Sequence, residues 1–464
     1  MTIARNRLGR AATLTLSAFL LVALPSCEQV RGNLLEAIDP DLILPATISS
    51  PEAADALRVG QLARIRGITG GGEGVWMLGG LLVDEWKSSD TFSQRNETDQ
   101  RFIQESNGNV QGMYRALHRL RTSGVEAINA LTTYKPAPAW GIGQMYFGMG
   151  LAEMMLAENF CNGIPLGDGS TGAPVYGPPL SNVAILNLAI AHFDTAMNNA
   201  LPATDAAAIS LVGLAKIHKA RALVDLGQYN TAAALVNGIV TSFVEPLVSY
   251  SLNTGDNQVW SLNTSAKRWT VGDSVDGAGR IANAIPFASL NDTRVRTTGS
   301  TLGTSSLGRG FDGSTNLVVQ TFYARSDAAY LASGIDARLI EAEARLQAQD
   351  IPGLMAILNT LRTSVQKLAP AYSTTVLPAL ANPATQAEAV TLFFREKALW
   401  QFSRGFRLND LRRMVRQYGR TQDQVFPTGI FFKSGTPYGT DVNFPVTTDE
   451  YNNPLFTGCT DRKA

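Results

Sequence analysis

The side chains that could carry chemistry are few and widely spaced. His118, His192 and His218 stand singly. None has a second histidine one helical turn away or a cysteine nearby, which is the spacing that holds zinc. A satisfied helical histidine is therefore the better reading of each, and no metal or cofactor is expected. No Gly-x-Ser-x-Gly turn exists to expose a nucleophilic serine. Glu341 and Glu343 are two residues apart, so a helix points them to different faces. Glycoside hydrolysis needs two carboxyls converging at roughly 5–10 Å. Asp84 and Glu85 are adjacent and converge no better. Binding is easier to support than catalysis. A sugar ring lays its C–H face on an aromatic plane, and its hydroxyls need polar side chains around the rim. Asp84, Trp86, Asn96, Trp260, Trp269 and Tyr323 supply those types in stretches without helical period. Trp86 and Trp269 lead, because Asp84, Glu85 and Lys87 flank one and Lys267 and Arg268 flank the other, which argues for exposure. Ordinary core packing is the alternative for every aromatic in the set.

Cys27 carries a different chemistry. Arg5, Arg7 and Arg10 form a basic start, an apolar run covers Ala11–Ala23, and Leu24-Pro25-Ser26-Cys27 follows. The run is shorter than the roughly 20 residues that span a bilayer and fits the core of a cleaved signal. Residues 1–26 are read as a lipoprotein signal peptide, with Cys27 as the acylated first residue of the mature chain and 27–48 as tether and docking segment. A plain secretory signal with a chance cysteine is the alternative. Two acyl chains anchor a protein stably. Cys161 and Cys459 remain. Outside the cytoplasm their simplest fate is one disulfide, which the chain-entropy view credits with about 5 kcal/mol for so long a closure; two buried free thiols are the alternative.

These residues need a scaffold. The chain has 464 residues, 45% of them hydrophobic, enough for one large domain or two to three smaller ones. Lys+Arg and Asp+Glu are balanced at 39 each, so no net positive charge draws the protein to nucleic acid. Ser50-Pro51-Glu52 starts a helix that runs to about Arg66, and Gly70–Gly74 breaks the chain without the Lys-Ser/Thr of a phosphate-binding loop. Apolar spacing predicts helices over 110–131, 140–160 and 181–197. Leu211–Leu226, a Gly227-Gln228-Tyr229 turn and Thr231–Val240 read as a helix pair with the Gly, Tyr and Ala of a tetratricopeptide turn, and Asp336–Gln347 with Pro352–Ser364 forms a similar pair. Residues 244–330 lose helical period and fill with Gly, Ser, Thr and Asn. This long insertion is expected to carry function, with short strands around Gln258–Ser261 and Leu317–Ala324.

The stretch Phe394-Arg395-Glu396-Lys397-Ala398-Leu399-Trp400-Gln401-Phe402-Ser403-Arg404-Gly405-Phe406-Arg407-Leu408-Asn409-Asp410-Leu411-Arg412-Arg413 resembles the signature of the SusD/RagB family. Glu396, Lys397, Gly405, Arg407, Asp410, Leu411 and Arg413 match. Arg404 and Trp400 stand where that family favours Glu, and Leu408-Asn409 where an aromatic is usual. Taken alone, Arg407 and Asp410 sit one turn apart and are placed to pair. Phe160–Leu166 resembles the family's aromatic-x-Gly-x-Pro-Leu segment, and Asn443-Phe444-Pro445-Val446 with Asp449-Glu450 and Asn453-Pro454 resembles its ending. The resemblance implies an all-α, SusD-like α/α superhelix of tetratricopeptide-like pairs over residues 49–464. It implies no catalysis. A surface lipoprotein at the outer membrane would capture a glycan or peptide and pass it to a SusC-like TonB-dependent transporter, the repeats facing the transporter and the insertion shaping the ligand surface. A helical scaffold for protein contacts, and a secreted hydrolase with its site in the insertion, are the competing readings.

Overall fold

The computed structural model describes residues 48–70, 74–168, 175–245, 250–251, 255–298, 300–301 and 304–464. Residues 1–26, read above as a signal peptide, and Cys27 lie outside the described residues. Residues 50–464 pack as one unit, and among the described residues no helix is long and apolar enough to cross a membrane.

Helix α1 (Pro51–Ile68) begins where Ser50 Oγ accepts from Ala53 N, with Pro51 in the first turn, and it runs two residues past Arg66. The short α2 (Val75–Leu82) is buried along its whole length, and α3 (Ser93–Asp99) follows. A succession of packed helices is then built from α4 (Gly108–Tyr134), α5 (Trp140–Asn159), α6 (Asn182–Ala200), α7 (Ala206–Asp225), α8 (Tyr229–Val236), α9 (Gly334–Gln347) and α10 (Ile351–Arg362). From α4 onward each helix packs on its neighbour in sequence, α1 lies on α4, and α8 meets α9 across the insertion. Close approach depends on small residues: a Cβ at Gly150 would meet the Phe193 ring at 2.9 Å and the Ala189 carbonyl at 3.0 Å, so only glycine lets α6 lie this close to α5. Helix α7 starts five residues before the apolar period does, because Asp205 Oδ1 accepts from Ala208 N and three alanines extend the first turn.

The insertion does not loosen the stack, because its ends are zipped. Val244–Glu245 pairs antiparallel with Ala332–Ser333, so α8 and α9 remain neighbours. Strand β1 (Trp86–Ser88), outside the insertion, pairs antiparallel with strand β2 (Trp269–Val271) within it, Trp86 opposite Val271. Val319–Gln320 is a strand, as the 317–324 expectation has it. The expected strand at Gln258–Ser261 is corrected: Asn257 Oδ1 accepts from Val259 N and Trp260 N, and Gln258–Trp260 is a helical turn continued by a wider one over Ser261–Ser265. The local cap overrides the β-favouring Val and Trp.

The signature stretch forms α11 (Gln386–Trp400) and α12 (Arg407–Tyr418) around Gly405, whose φ is 74°. It is a buried knot of charge. Glu396 accepts from Arg294 of the insertion at 2.5 Å and from Arg362 of α10 at 3.0 Å. Lys397 donates to Asp410 at 2.6 Å, and Arg413 joins Glu343 to Asp410. Arg407 does not pair with Asp410, as the one-turn spacing suggested; it reaches across the chain to Asp84 at 2.8 and 2.9 Å. The unusual Arg404 is answered by Asp336 at 2.8 and 3.0 Å, the same carboxylate that caps α9. The two other resembling segments also meet. Cys161 N donates to the Phe444 carbonyl at 2.8 Å, and Cys161 and Cys459 are joined as a disulfide.

Candidate ligand-binding site

The six sequence candidates part company in the structure. Trp86 and Trp269 have no exposed surface. Trp86 Nε1 donates to Ser403 Oγ at 3.1 Å and its ring lies 5.4 Å from Phe402. Asp84 and Tyr323 are buried as well, Asp84 by Arg407 and Tyr323 beside Phe322. These four positions are therefore corrected from ligand contacts to core. Their charged neighbours are turned inward too. Lys87 meets Tyr438 and Asp99, and burial pushes the Glu85 carboxyl up to about 8. Trp260 is half-buried with Arg325 over its ring at 5.8 Å. Asn96 accepts from Ser88 Oγ at 2.8 Å and from Lys433 Nζ at 2.9 Å.

The surface beside Asn96 is where exposed rings gather. From buried Trp269 outward, Arg95 lies 5.9 Å from the Trp269 ring and 5.3 Å from Phe92, and Arg268 lies 5.0 Å from Phe92 and 3.9 Å from Phe311. Rings and guanidiniums alternate, and each cation–ring contact holds the next side chain. Phe92 and Phe311 are about half exposed, at 53% and 51%. Asp90 binds both guanidiniums, meeting Arg95 and accepting from Arg268 Nη1 at 2.8 Å. Burial pushes the Asp90 carboxyl up, and the two arginines more than offset it, so its pKa lies below the ordinary value.

The outer ring is set by loop 309–316. Phe311 N donates to the Lys267 carbonyl and Asp312 N to the Ser89 carbonyl, fastening the loop along the end of β1 and β2. A Cβ on Gly310 would come within 2.4 Å of Ser89 Cβ, so the loop lies this close only with glycine there. Asp312 accepts from Ser314 N, Thr315 N and Lys433 Nζ, the last at 2.7 Å. Burial raises its pKa, and these partners bring it down to about 2. On its other side the loop borders a narrow cleft of about 60 Å³, lined among others by Lys87, Asp273, Asp276, Arg309, Thr315 and Phe432. Sequence reasoning reached Asn96 at the edge of this surface and Trp269 at its root, and missed the two rings at its front. The signal was a lone phenylalanine in a polar, turn-rich stretch, Ser88-Ser89-Asp90-Thr91-Phe92-Ser93 and Gly308-Arg309-Gly310-Phe311-Asp312-Gly313.

The remaining buried titratable groups read as packing. His118 and His218 are held neutral by burial, at about 3 and about 4, and His192 contacts Glu153 at 2.6 Å. Among the described residues no group of three His, Cys, Asp or Glu comes together to hold a metal.

This architecture, a helical superhelix with a zipped insertion and a charge knot behind it, is the SusD-like fold. A scan of family models and a search of curated proteins give no match. Solved structures do match, at low identity. A SusD-like carbohydrate-binding protein from Bacteroides vulgatus superposes with a TM-score of 0.60 at 12% identity, over 88% of this chain and 98% of that one. A SusD-like protein from Bacteroides fragilis gives 0.60 at 14% identity over 89% and 97%. A SusD/RagB family protein from Bacteroides thetaiotaomicron gives 0.59 at 13% identity over 87% and 94%. The likeness is one of fold across almost the whole described chain.

Proposed function

We propose that this protein is a lipid-anchored nutrient-binding protein, acylated at Cys27 on the outer membrane. It captures a glycan or peptide on the Phe92–Arg268–Phe311 surface and delivers it to a SusC-like TonB-dependent transporter. The carrying observation is the pair of exposed rings stacked against a shared guanidinium on a SusD-like fold. Exposed phenyl faces that cannot collapse into the core are costly to keep in water and are suited to stacking a ligand ring. The Bacteroides vulgatus relative is a carbohydrate-binding protein, which favours a glycan. On the repeat side, an open groove of about 570 Å³, bordered by Thr241, Arg338, Glu341, Ile357, Thr360 and Lys367, offers a mixed polar and apolar face for the transporter.

A hydrolytic reading has one observation in its favour: Asp273 and Asp276 both line the cleft, and burial raises Asp273. Both carboxylates are already engaged, Asp273 by Ser274 N and Ser289 Oγ and Asp276 by Ala278 N with Lys87 at 3.7 Å. Binding is therefore preferred. Phe311→Ala and Phe92→Ala test it: each is expected to weaken oligosaccharide or peptide binding about tenfold or more in calorimetry with the circular dichroism unchanged. Undiminished affinity in both variants removes this surface as the site. Co-purification with a large β-barrel from native membranes tests the partner, and product release from oligosaccharides would favour the hydrolase.

A further inference from the structure

We infer that the ring platform selects sugars that carry a carboxylate, so that the natural cargo contains uronic acid residues. This rests on the reading of the platform as a glycan site and goes beyond it by naming the ligand chemistry. The whole chain is charge-balanced, 39 cationic to 39 acidic side chains, yet the platform is not. Arg95, Lys267, Arg268 and Lys433 surround the two rings or the loop that carries one of them, against Asp90 and Asp312, while Arg309 borders the cleft it shares with Asp273 and Asp276.

Of these cations Lys267 is exposed and Arg268 is partly exposed, its side chain at 25%. Arg268 makes a single side-chain hydrogen bond among the described residues, from Nη1 to Asp90, and lies between the two exposed rings. Its other N–H donors form a fork edged by phenyl faces. A planar carboxylate can take that edge in two parallel hydrogen bonds while its sugar ring stacks on Phe311 or Phe92. Lys267 is exposed, and its ammonium has no ion-pair partner among the described residues. Its backbone sits at φ 57°, a left-handed conformation uncommon for lysine. The conformation is held because its carbonyl accepts from both Phe311 N and Ser89 Oγ at 2.8 Å. The chain thus keeps a strained backbone at an exposed lysine whose carbonyl fastens the ring-bearing loop. A neutral sugar would use the rings and leave the Lys267 ammonium and the remaining Arg268 donors without a ligand partner.

The test is calorimetry on the purified full chain in detergent, with uronate oligosaccharides (polygalacturonate, alginate and hyaluronate) and the carboxyl-reduced form of each. The expected result is that at least one acidic oligosaccharide binds tenfold or more tighter than its reduced counterpart, and that this margin shrinks as salt rises. Lys267→Gln, an exposed change that leaves the core untouched, is expected to weaken the acidic ligand several-fold and leave the reduced one unaltered. Arg268→Gln is expected to abolish the margin. Equal binding of acidic and reduced forms, both lost in Phe311→Ala, overturns acid selection and leaves glycan capture standing. No binding by any oligosaccharide, or binding of acidic peptides in their place, overturns both.

Discussion

Glu85 is a buried carboxyl without a cation of its own. Its Oε1 accepts from Ser403 N at 2.9 Å, and desolvation carries its pKa from 4.5 to about 8. Between those two values the folded state holds a proton that the unfolded chain has released, so stability falls as pH rises through that window. Glu85→Gln is expected to flatten the decline and to stabilise the protein at pH 8 and above by a few kcal/mol at most, read from urea unfolding across pH. The neighbouring Asp84–Arg407 pair behaves differently. Asp84→Ala strands a buried guanidinium and is expected to cost about 3–5 kcal/mol in the same assay, without altering the ligand affinity of the protein that remains folded. Here the sequence misled for a physical reason. Charges flanking Trp86 argued for exposure, but Asp84 and Lys87 are satisfied by Arg407 and Tyr438, more than 300 residues on, and Glu85 is buried with a raised pKa. A sequence displays charge and conceals its partner. Phe92 and Phe311 were hidden in the opposite way: single phenylalanines are usually core, but these two are about half exposed with guanidiniums against their rings.

Elements defined by local chemistry were legible. Ser50 and Ser181 cap α1 and α6 through bonds to residues three positions on, and the apolar period of the repeat pairs located α7 to α10 within a few residues. The turn at Gly405 was legible as a break but not in its reason. Gly405 and Gly419 both take positive φ, 74° and 66°. A Cβ at Gly419 meets open space, whereas one at Gly405 would approach Trp76 Cδ1 to 2.5 Å. Gly419→Ala is expected to cost only the left-handed backbone penalty, about 1–2 kcal/mol. Gly405→Ala is expected to cost clearly more, and the difference in denaturation midpoints isolates the packing of α2 against the α11–α12 turn. Beyond its strand at Val319–Gln320 the insertion was legible mainly as an absence of period, because its order comes from tertiary bonds such as Gln320 N to Asn263 Oδ1 and Thr270 Oγ1 to the Asn316 carbonyl.

At the scale of the whole molecule, the resemblance was carried by motifs that lie far apart in the chain, and two of them come together in space, Phe160–Cys161 beside Phe444. The disulfide fastens the C-terminal segment to the end of α5 across a sequence separation of 298 residues. Reducing it is expected to lower stability by about 2–5 kcal/mol and to raise hydrogen exchange in 443–463 ahead of the helical stack. The ring-and-guanidinium column has a mechanical meaning as well. Its rungs come from the start of α3, the start of β2 and loop 309–316, and Lys433 ties that loop to the C-terminal segment. A polymer dragged from its far end would therefore load several stretches of backbone in parallel rather than peel one loop away. On the proposed reading, such a perch would resist a sideways tug, which matters more than equilibrium tightness for cargo held until something stronger pulls.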